Sequence, residues 1–205
     1  MTSGLLIRCL FGVVGVLVIA PMALFCLWPH VVRASFVGGP DTVEGAAPRA
    51  AHSLIAELIR LGFQALGVKV EKSPLRPAVR ELSFVAADRQ CYASIGLASL
   101  GSRLYYFTPL PDGGFALTSN GAFPKIRSAN VLQRSYPRCG PEELLGHHLR
   151  ALAELGRRGE VAPTSDARLE ATYAYYRTFE VRKILRRTGI MLLAWVGVLG
   201  WLILR

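Results

Sequence analysis

The sequence predicts an α+β fold: an antiparallel β-meander of about five strands, flanked by helices and tethered by one transmembrane helix at each end. Three observations carry that expectation. Two uncharged apolar runs lie near the ends of the 205-residue chain, CLFGVVGVLVIAPMALFCLW over 9–28 and GIMLLAWVGVLGWLIL over 189–204. Between about 68 and 136 apolar residues alternate with a period of two, while on either side they recur at helical spacing. The net charge of +10 is also unevenly spread. Residues 34–181 hold 17 Lys+Arg against all 14 Asp+Glu, and the other seven basic residues (Arg8, Arg33, Arg182, Lys183, Arg186, Arg187 and Arg205) edge the two apolar runs. A nearly neutral central region argues against nucleic-acid binding, which needs a basic face on the folded domain.

The first element, residues 1–32, is expected to contain a transmembrane helix over about 9–28. At 1.5 Å per residue, that run spans about 30 Å, the thickness of a bilayer's hydrocarbon core. Pro21 is tolerable in a lipid-embedded helix. A cleaved signal peptide fits less well, because the apolar run is long and the Val-Arg-Ala-Ser sequence at 32–35 is a poor cleavage site. Trp28, with Arg33 beyond it, suits an anchor at the membrane–water interface.

Residues 33–48 have the glycines, proline and weak periodicity of a linker. The α+β domain is expected over 49–165. It opens with a helix over about 49–65, started by Pro48 and stopped by Gly67. Strands follow near 68–72, 81–87, 91–97, 103–109, 115–119 and 130–135, with turn chemistry at Asp88-Arg89 and Asp112-Gly113-Gly114. In the fourth of these, Tyr105 and Phe107 share one face and Leu104, Tyr106 and Thr108 the other, so both faces are partly apolar, as expected if one packs on a helix and the other meets something else. Pro141-Glu142-Glu143 starts a helix to about Arg158, with its acidic residues at the positive end of the helix dipole.

Residues 166–188 are expected to form an amphipathic stalk helix running without a break into a second transmembrane helix over 189–205. The second apolar run is about 24 Å long, short for a bilayer but workable if Arg187 and Arg205 snorkel. The stalk carries aromatics and then a basic cluster. Tyr173, Tyr176 and Phe179, followed by Arg182, Lys183, Arg186 and Arg187, are the candidate membrane-interface residues, with Trp28 and Arg33 at the other end. The expected partner is the lipid bilayer, with anionic headgroups meeting the basic cluster. Six basic residues precede the second span within about 20 positions (Arg168, Arg177, Arg182, Lys183, Arg186 and Arg187) and only Arg205 follows it. The positive-inside rule therefore places the central domain in the cytoplasm of a bacterial cell, with two spans in its cytoplasmic membrane.

No catalytic, cofactor-binding or metal-binding set stands out. His147 and His148 are separated by about 100° on a helix and cannot readily share one site. His148 falls on the apolar stripe with Leu144 and Leu152. Gly96–Ser102 has the glycine spacing of a phosphate-binding loop but lacks its lysine. Cys91 alternates with Ala93 and Ile95 on a strand, as a buried small residue would. Cys91 and Cys139 could pair only in an oxidising compartment. The expected function is a non-enzymatic module that binds a protein or lipid partner, or a second copy of itself. The alternatives are a membrane-anchored enzyme using His148 or Cys91, and a structural subunit of a membrane complex.

Overall fold

In a computed structural model, residues 2–28, 32–73, 77–98 and 101–204 are described, without the side chains of 2–12, 14, 15, 98, 101 and 202–204. The elements are α1 (Thr2–Leu27), β1 (Arg33–Phe36), α2 (Thr42–Ala46), α3 (Arg49–Arg60), β2 (Phe63–Lys72), β3 (Val79–Ala86), β4 (Tyr92–Ala98), β5 (Gly101–Pro109), β6 (Phe115–Ser119), β7 (Ile126–Arg127), β8 (Val131–Ser135), α4 (Pro141–Glu154), α5 (Ser165–Arg177) and α6 (Phe179–Leu204). They form two compact units. Residues 34–71 and 78–178 make one, and residues 1–33, 72–77 and 179–205 make the other.

The larger unit is a mixed α+β fold built on one eight-stranded sheet in the order β1-β2-β3-β4-β5-β6-β8-β7. Strands β2 to β6 pair antiparallel in sequence, as the meander expected from the alternation. The exception is β8, which returns parallel to β6 with Leu117 opposite Gln133. Register aligns the apolar residues of neighbouring strands: Val68 lies opposite Leu82, Leu82 opposite Ile95, and Ile95 opposite Leu104. These side chains form one core with Ile55 and Leu58 of α3 and Leu144 of α4. The alternate residues (Lys69, Glu81, Ser94, Tyr105 and Phe107) point to the opposite face, beneath α5.

Several boundaries differ from the sequence expectation, each for a local reason. The first domain helix ends at Arg60 rather than near 65, because Gly62 takes a left-handed conformation (φ 84°) and closes the last turn through its N–H to the Ile59 carbonyl. Gly67, expected as that stop, sits instead at a bulge in β2. Its φ is 133°, and a Cβ there would collide with the Gly38 carbonyl oxygen, so only glycine fits. The expected linker is part of the fold: β1 joins the sheet edge and Val43 of α2 enters the core. α4 stops at Glu154 because Gly156 (φ 63°) caps it, leaving Arg157 and Arg158 outside the helix. The expected continuous stalk is interrupted at Thr178, whose extended backbone (φ −61°, ψ 133°) separates α5 from α6. α5 belongs to the domain; α6 belongs to the other unit.

In that smaller unit, the C-terminal end of α1 packs on the N-terminal half of α6. The close approach is at Gly189, where a Cβ would meet Leu27, the Ala23 carbonyl and Cys26 at 2.9–3.1 Å. Gly197 and Gly200, three apart in the sequence, face open space. Among the described residues one helix, Phe179–Trp201, is long and apolar enough to cross a membrane; Val16–Leu27 of α1 is a shorter apolar stretch. Residues 9–12, 14 and 15 of the first expected span lie outside those whose side chains are described.

Replacing Gly67 by Ala should destabilise the full-length protein by about 1–3 kcal/mol, the cost of a strained backbone, with the clash against Gly38 added. Gly39→Ala, with nothing within 4 Å of its Cβ position, should be tolerated. Urea titrations monitored by tryptophan-independent circular dichroism compare the two.

Candidate functional site

The second face of the sheet holds a closed polar network that the sequence did not announce. Lys69 on β2, Glu81 on β3, Tyr105 on β5 and Arg168 on α5 are all nearly inaccessible to solvent. The Lys69 ammonium uses all three of its protons: on Glu81 at 2.8 Å, on Glu71 at 2.7 Å and on the Thr172 hydroxyl at 3.1 Å. Tyr105 donates to Glu81 at 2.6 Å and accepts from Arg168 at 2.9 Å. The guanidinium also donates to Thr172 and Ser94, and lies 5.4 Å from the Tyr92 ring and 5.7 Å from that of Phe107. Its Nε is left without a hydrogen-bond partner. The two rings offset part of that cost by cation–π attraction.

Burial is the largest influence on each of these groups, and their mutual charges overcome it for the ion pair. Burial and Arg168 pull the Lys69 ammonium down, but Glu81, Tyr105 and Glu71 outweigh them and hold it at about 12. Burial pushes the Glu81 carboxyl up, while Lys69 and Arg168 hold it below its ordinary range. Burial and then Glu81 push the Tyr105 phenol up to about 12. With Glu81 depressed and Lys69 raised, the pair's stabilising effect is complete above about 4.5 and below about 10.5, the ordinary values of the two groups. Two cations face two carboxylates. The arrangement locks α5 to the sheet.

The candidates for hidden catalysis are absorbed by packing. His148 is fully buried between Thr108 and Thr118. Thr108 spends its proton on the Gln90 carbonyl, so it accepts from His148 Nε2–H at 2.9 Å; Nδ1 then accepts from Thr118 at 3.2 Å. Both ring nitrogens are satisfied in one neutral tautomer. Burial holds the imidazole down at about 3. Cys91 lies in the apolar core, where burial and then Asp88 push its thiol well up, away from a reactive thiolate. Cys91 and Cys139 are both free thiols. The glycine-rich turn falls partly on residues 99 and 100, outside the described residues.

The expected interface residues divide between the two units. Tyr173 and Tyr176 turn onto the domain. The Tyr173 hydroxyl bridges the N–H and carbonyl of Ala34 at 3.0 Å each, fastening β1, and Tyr176 donates to Glu71 at 2.8 Å. Trp28, Arg33 and Phe179 are exposed. Arg182, Lys183, Arg186 and Arg187 occupy an arc of about 140° over two turns of α6. They rim a groove of about 830 Å³ whose remaining lining is Cys26 and Leu27 of α1 with Phe179, Ile190 and Met191 of α6. Among the described residues that line it, four cations stand over an apolar floor and none is a carboxylate.

One further cluster escaped the sequence reading. Cys139, Glu143 and His147 bring a sulfur, a carboxylate oxygen and an imidazole nitrogen within 4.8 Å of one another. Their spacing of four and four was visible, but Cys139 precedes the Gly140-Pro141 helix start, so helical periodicity did not link it to the others. Comparison with protein families, curated proteins and solved structures finds no match for the chain.

Replacing Lys69 by Met should cost about 3–5 kcal/mol, because it strands the buried Glu81 carboxylate; adding Glu81→Gln should recover part of that loss. A double-mutant cycle by urea unfolding in neutral detergent measures the coupling. His148 sets a second expectation. Its folded-state value lies below its unfolded one, so the unfolded chain takes the proton first. Stability is therefore full above about pH 6.5 and should fall by up to about 1.4 kcal/mol per pH unit as pH drops toward 3. His148→Gln should flatten that slope between pH 6.5 and 4.5, read from unfolding curves at stepped pH.

Proposed function

We propose that this protein is a membrane-anchored, non-enzymatic interaction module that seats its α+β domain at an anionic membrane surface. In this reading α1 and α6 both cross the cytoplasmic membrane of a bacterial cell, and the domain between them lies in the cytoplasm. The observation that carries it is the composition of α6, whose first turns present Arg182, Lys183, Arg186 and Arg187 and whose later turns present Ile190, Met191, Leu193, Trp195, Val198 and Trp201 uncovered. An apolar helix surface of that kind is unstable in water and suits lipid. The change from cations to apolar residues falls near Thr188, which sets the headgroup level there. Phe179 would then lie at the interface with the cations, on the domain side of that level.

Orientation rests on the same residues. Arg168 is spent inside the domain, but Arg177 and the four cations of α6 still outnumber the single Arg205 beyond the span. Positive charge is retained on the cytoplasmic side. Each basic residue near an anionic surface contributes about 1 kcal/mol, so four would favour anionic over neutral lipid by about 4 kcal/mol at most. The lipid is the partner this reading supports best. A protein partner or a second copy of the chain would then be recruited by the domain's own surface.

The test uses the full chain in neutral detergent, followed by thermal unfolding while phosphatidylglycerol or phosphatidylcholine is added. Phosphatidylglycerol should raise the midpoint and phosphatidylcholine should not. The variant carrying Arg182→Gln, Lys183→Gln, Arg186→Gln and Arg187→Gln should lose that difference. Equal responses to both lipids in the unaltered protein would remove the basis for anionic recognition, and release from membranes by alkaline carbonate would remove the anchoring.

A further inference from the structure

We propose that Cys139, Glu143 and His147 bind a divalent transition-metal ion of the zinc class. The three donors are of the types such an ion takes together: a thiolate, a carboxylate and an imidazole. They lie within 4.8 Å of one another. With the bond lengths usual for zinc, tetrahedral ligands stand about 3.5 Å apart, so closing the site asks for roughly 1 Å of side-chain movement.

The backbone holds the donors in place. Glu143 and His147 are one turn apart on α4, with Glu143 Oε1 3.9 Å from His147 Nε2. Cys139 ends a tight turn begun at Tyr136, closed by its N–H to the Tyr136 carbonyl at 3.3 Å. That turn places Arg138, a residue with a side chain, at φ 72°, where glycine is ordinarily used. Tyr136 then stacks on the His147 ring, 3.8 Å between centroids and 14° from parallel, and fixes the plane of the imidazole. Glu142, the other carboxylate at this helix start, is held away by Arg60 at 2.8 Å. Glu143 is left as the acidic donor.

Two groups compete with the metal, and both can yield. The Cys139 thiol and the Glu143 carboxylate lie within 4.8 Å of one another; binding replaces the thiol proton with the ion, and that proton leaves to solvent. Arg150 donates to His147 Nδ1 at 3.2 Å. Coordination through Nε2 puts the ring proton on Nδ1, so Arg150 must swing away. It is exposed on α4, its Nε also donating to the Gly146 carbonyl at 3.3 Å, and water can replace either contact. The thiolate and carboxylate neutralise the ion's two charges. Three protein ligands leave a fourth position open to water or to a partner's side chain.

The experiment titrates the full chain in neutral detergent with Co²⁺ and follows it with Zn²⁺. Saturable Co²⁺ binding with intense visible bands of tetrahedral geometry and a near-ultraviolet thiolate-to-cobalt band is expected, with one equivalent of Zn²⁺ bleaching both. Cys139→Ser should abolish the thiolate band. Glu143→Gln and His147→Gln, both at accessible positions, should each weaken binding at least tenfold. Arg150→Ala should bind as tightly as the unaltered protein or more so. Absence of saturable binding, or a thiolate band that persists in Cys139→Ser, would overturn the proposal.

Discussion

The Lys69–Glu81 ion pair is the contact on which the domain's second layer depends. A sheet of this kind needs both faces covered, and α3 and α4 cover only one with apolar side chains. On the other face, strand alternation delivers Lys69, Glu81, Ser94 and Tyr105 to neighbouring positions, and α5 must satisfy them or leave them stranded. Arg168 and Thr172, one turn apart on α5, do so. Lys69 and Arg168 hold the Glu81 carboxyl below its ordinary range against its burial, and the Glu81 charge in turn raises Lys69 and Arg168. Polar groups with few permitted partners fix the register of a helix more narrowly than leucines do, because a shifted helix would strand several of them together.

That dependence explains what was legible in the sequence. The meander was readable because its apolar alternation is local: Leu82, Phe84, Ala93, Ile95, Leu104 and Tyr106 announce their face within their own strands. Strand β6 was read at Phe115–Ser119, the bounds the structure gives. The role of α5 was not readable. Lys69 and Glu71 alternate with valines as a solvent-facing strand edge would, and their partners on α5, Thr172 for Lys69 and Tyr176 for Glu71, lie about a hundred residues away. Arg168, Tyr173 and Tyr176 have the composition of an interfacial helix, and only the long-range pairing to Glu81, Ala34 and Glu71 distinguishes a packed helix from one lying on lipid. Stops were misplaced for a different reason. Gly62, Gly67 and Gly156 all carry a positive φ, and sequence alone does not say whether such a glycine ends a helix or bulges a strand.

The histidines show the same limit at smaller scale. Their adjacency invited a shared chemical role, and helical geometry separated them correctly. His148 then became a neutral crosslink between two threonines of the sheet, while His147 faces Tyr136, Glu143 and Cys139. One position on α4 is closed by its hydrogen bonds. The next has a ring nitrogen close to a carboxylate and a thiol, which is where new chemistry can be added without disturbing the core.

Charge accounting sets α6 apart from the domain. Inside the domain, the formal charges of Lys69 and Arg168 are matched by those of Glu71 and Glu81. Surface pairs such as Arg60–Glu142, Arg134–Glu154 and Arg157–Asp112 cancel further cations locally. The cations of α6 are distinguished by position, since all four line one groove. Attraction to an anionic surface decays within about one Debye length, roughly 8 Å at physiological salt, so only uncancelled charge held close to that surface has an effect. If α6 enters lipid as proposed, the cations of its first turns stand at the headgroup level, the one depth at which their attraction to anionic lipid is felt in full.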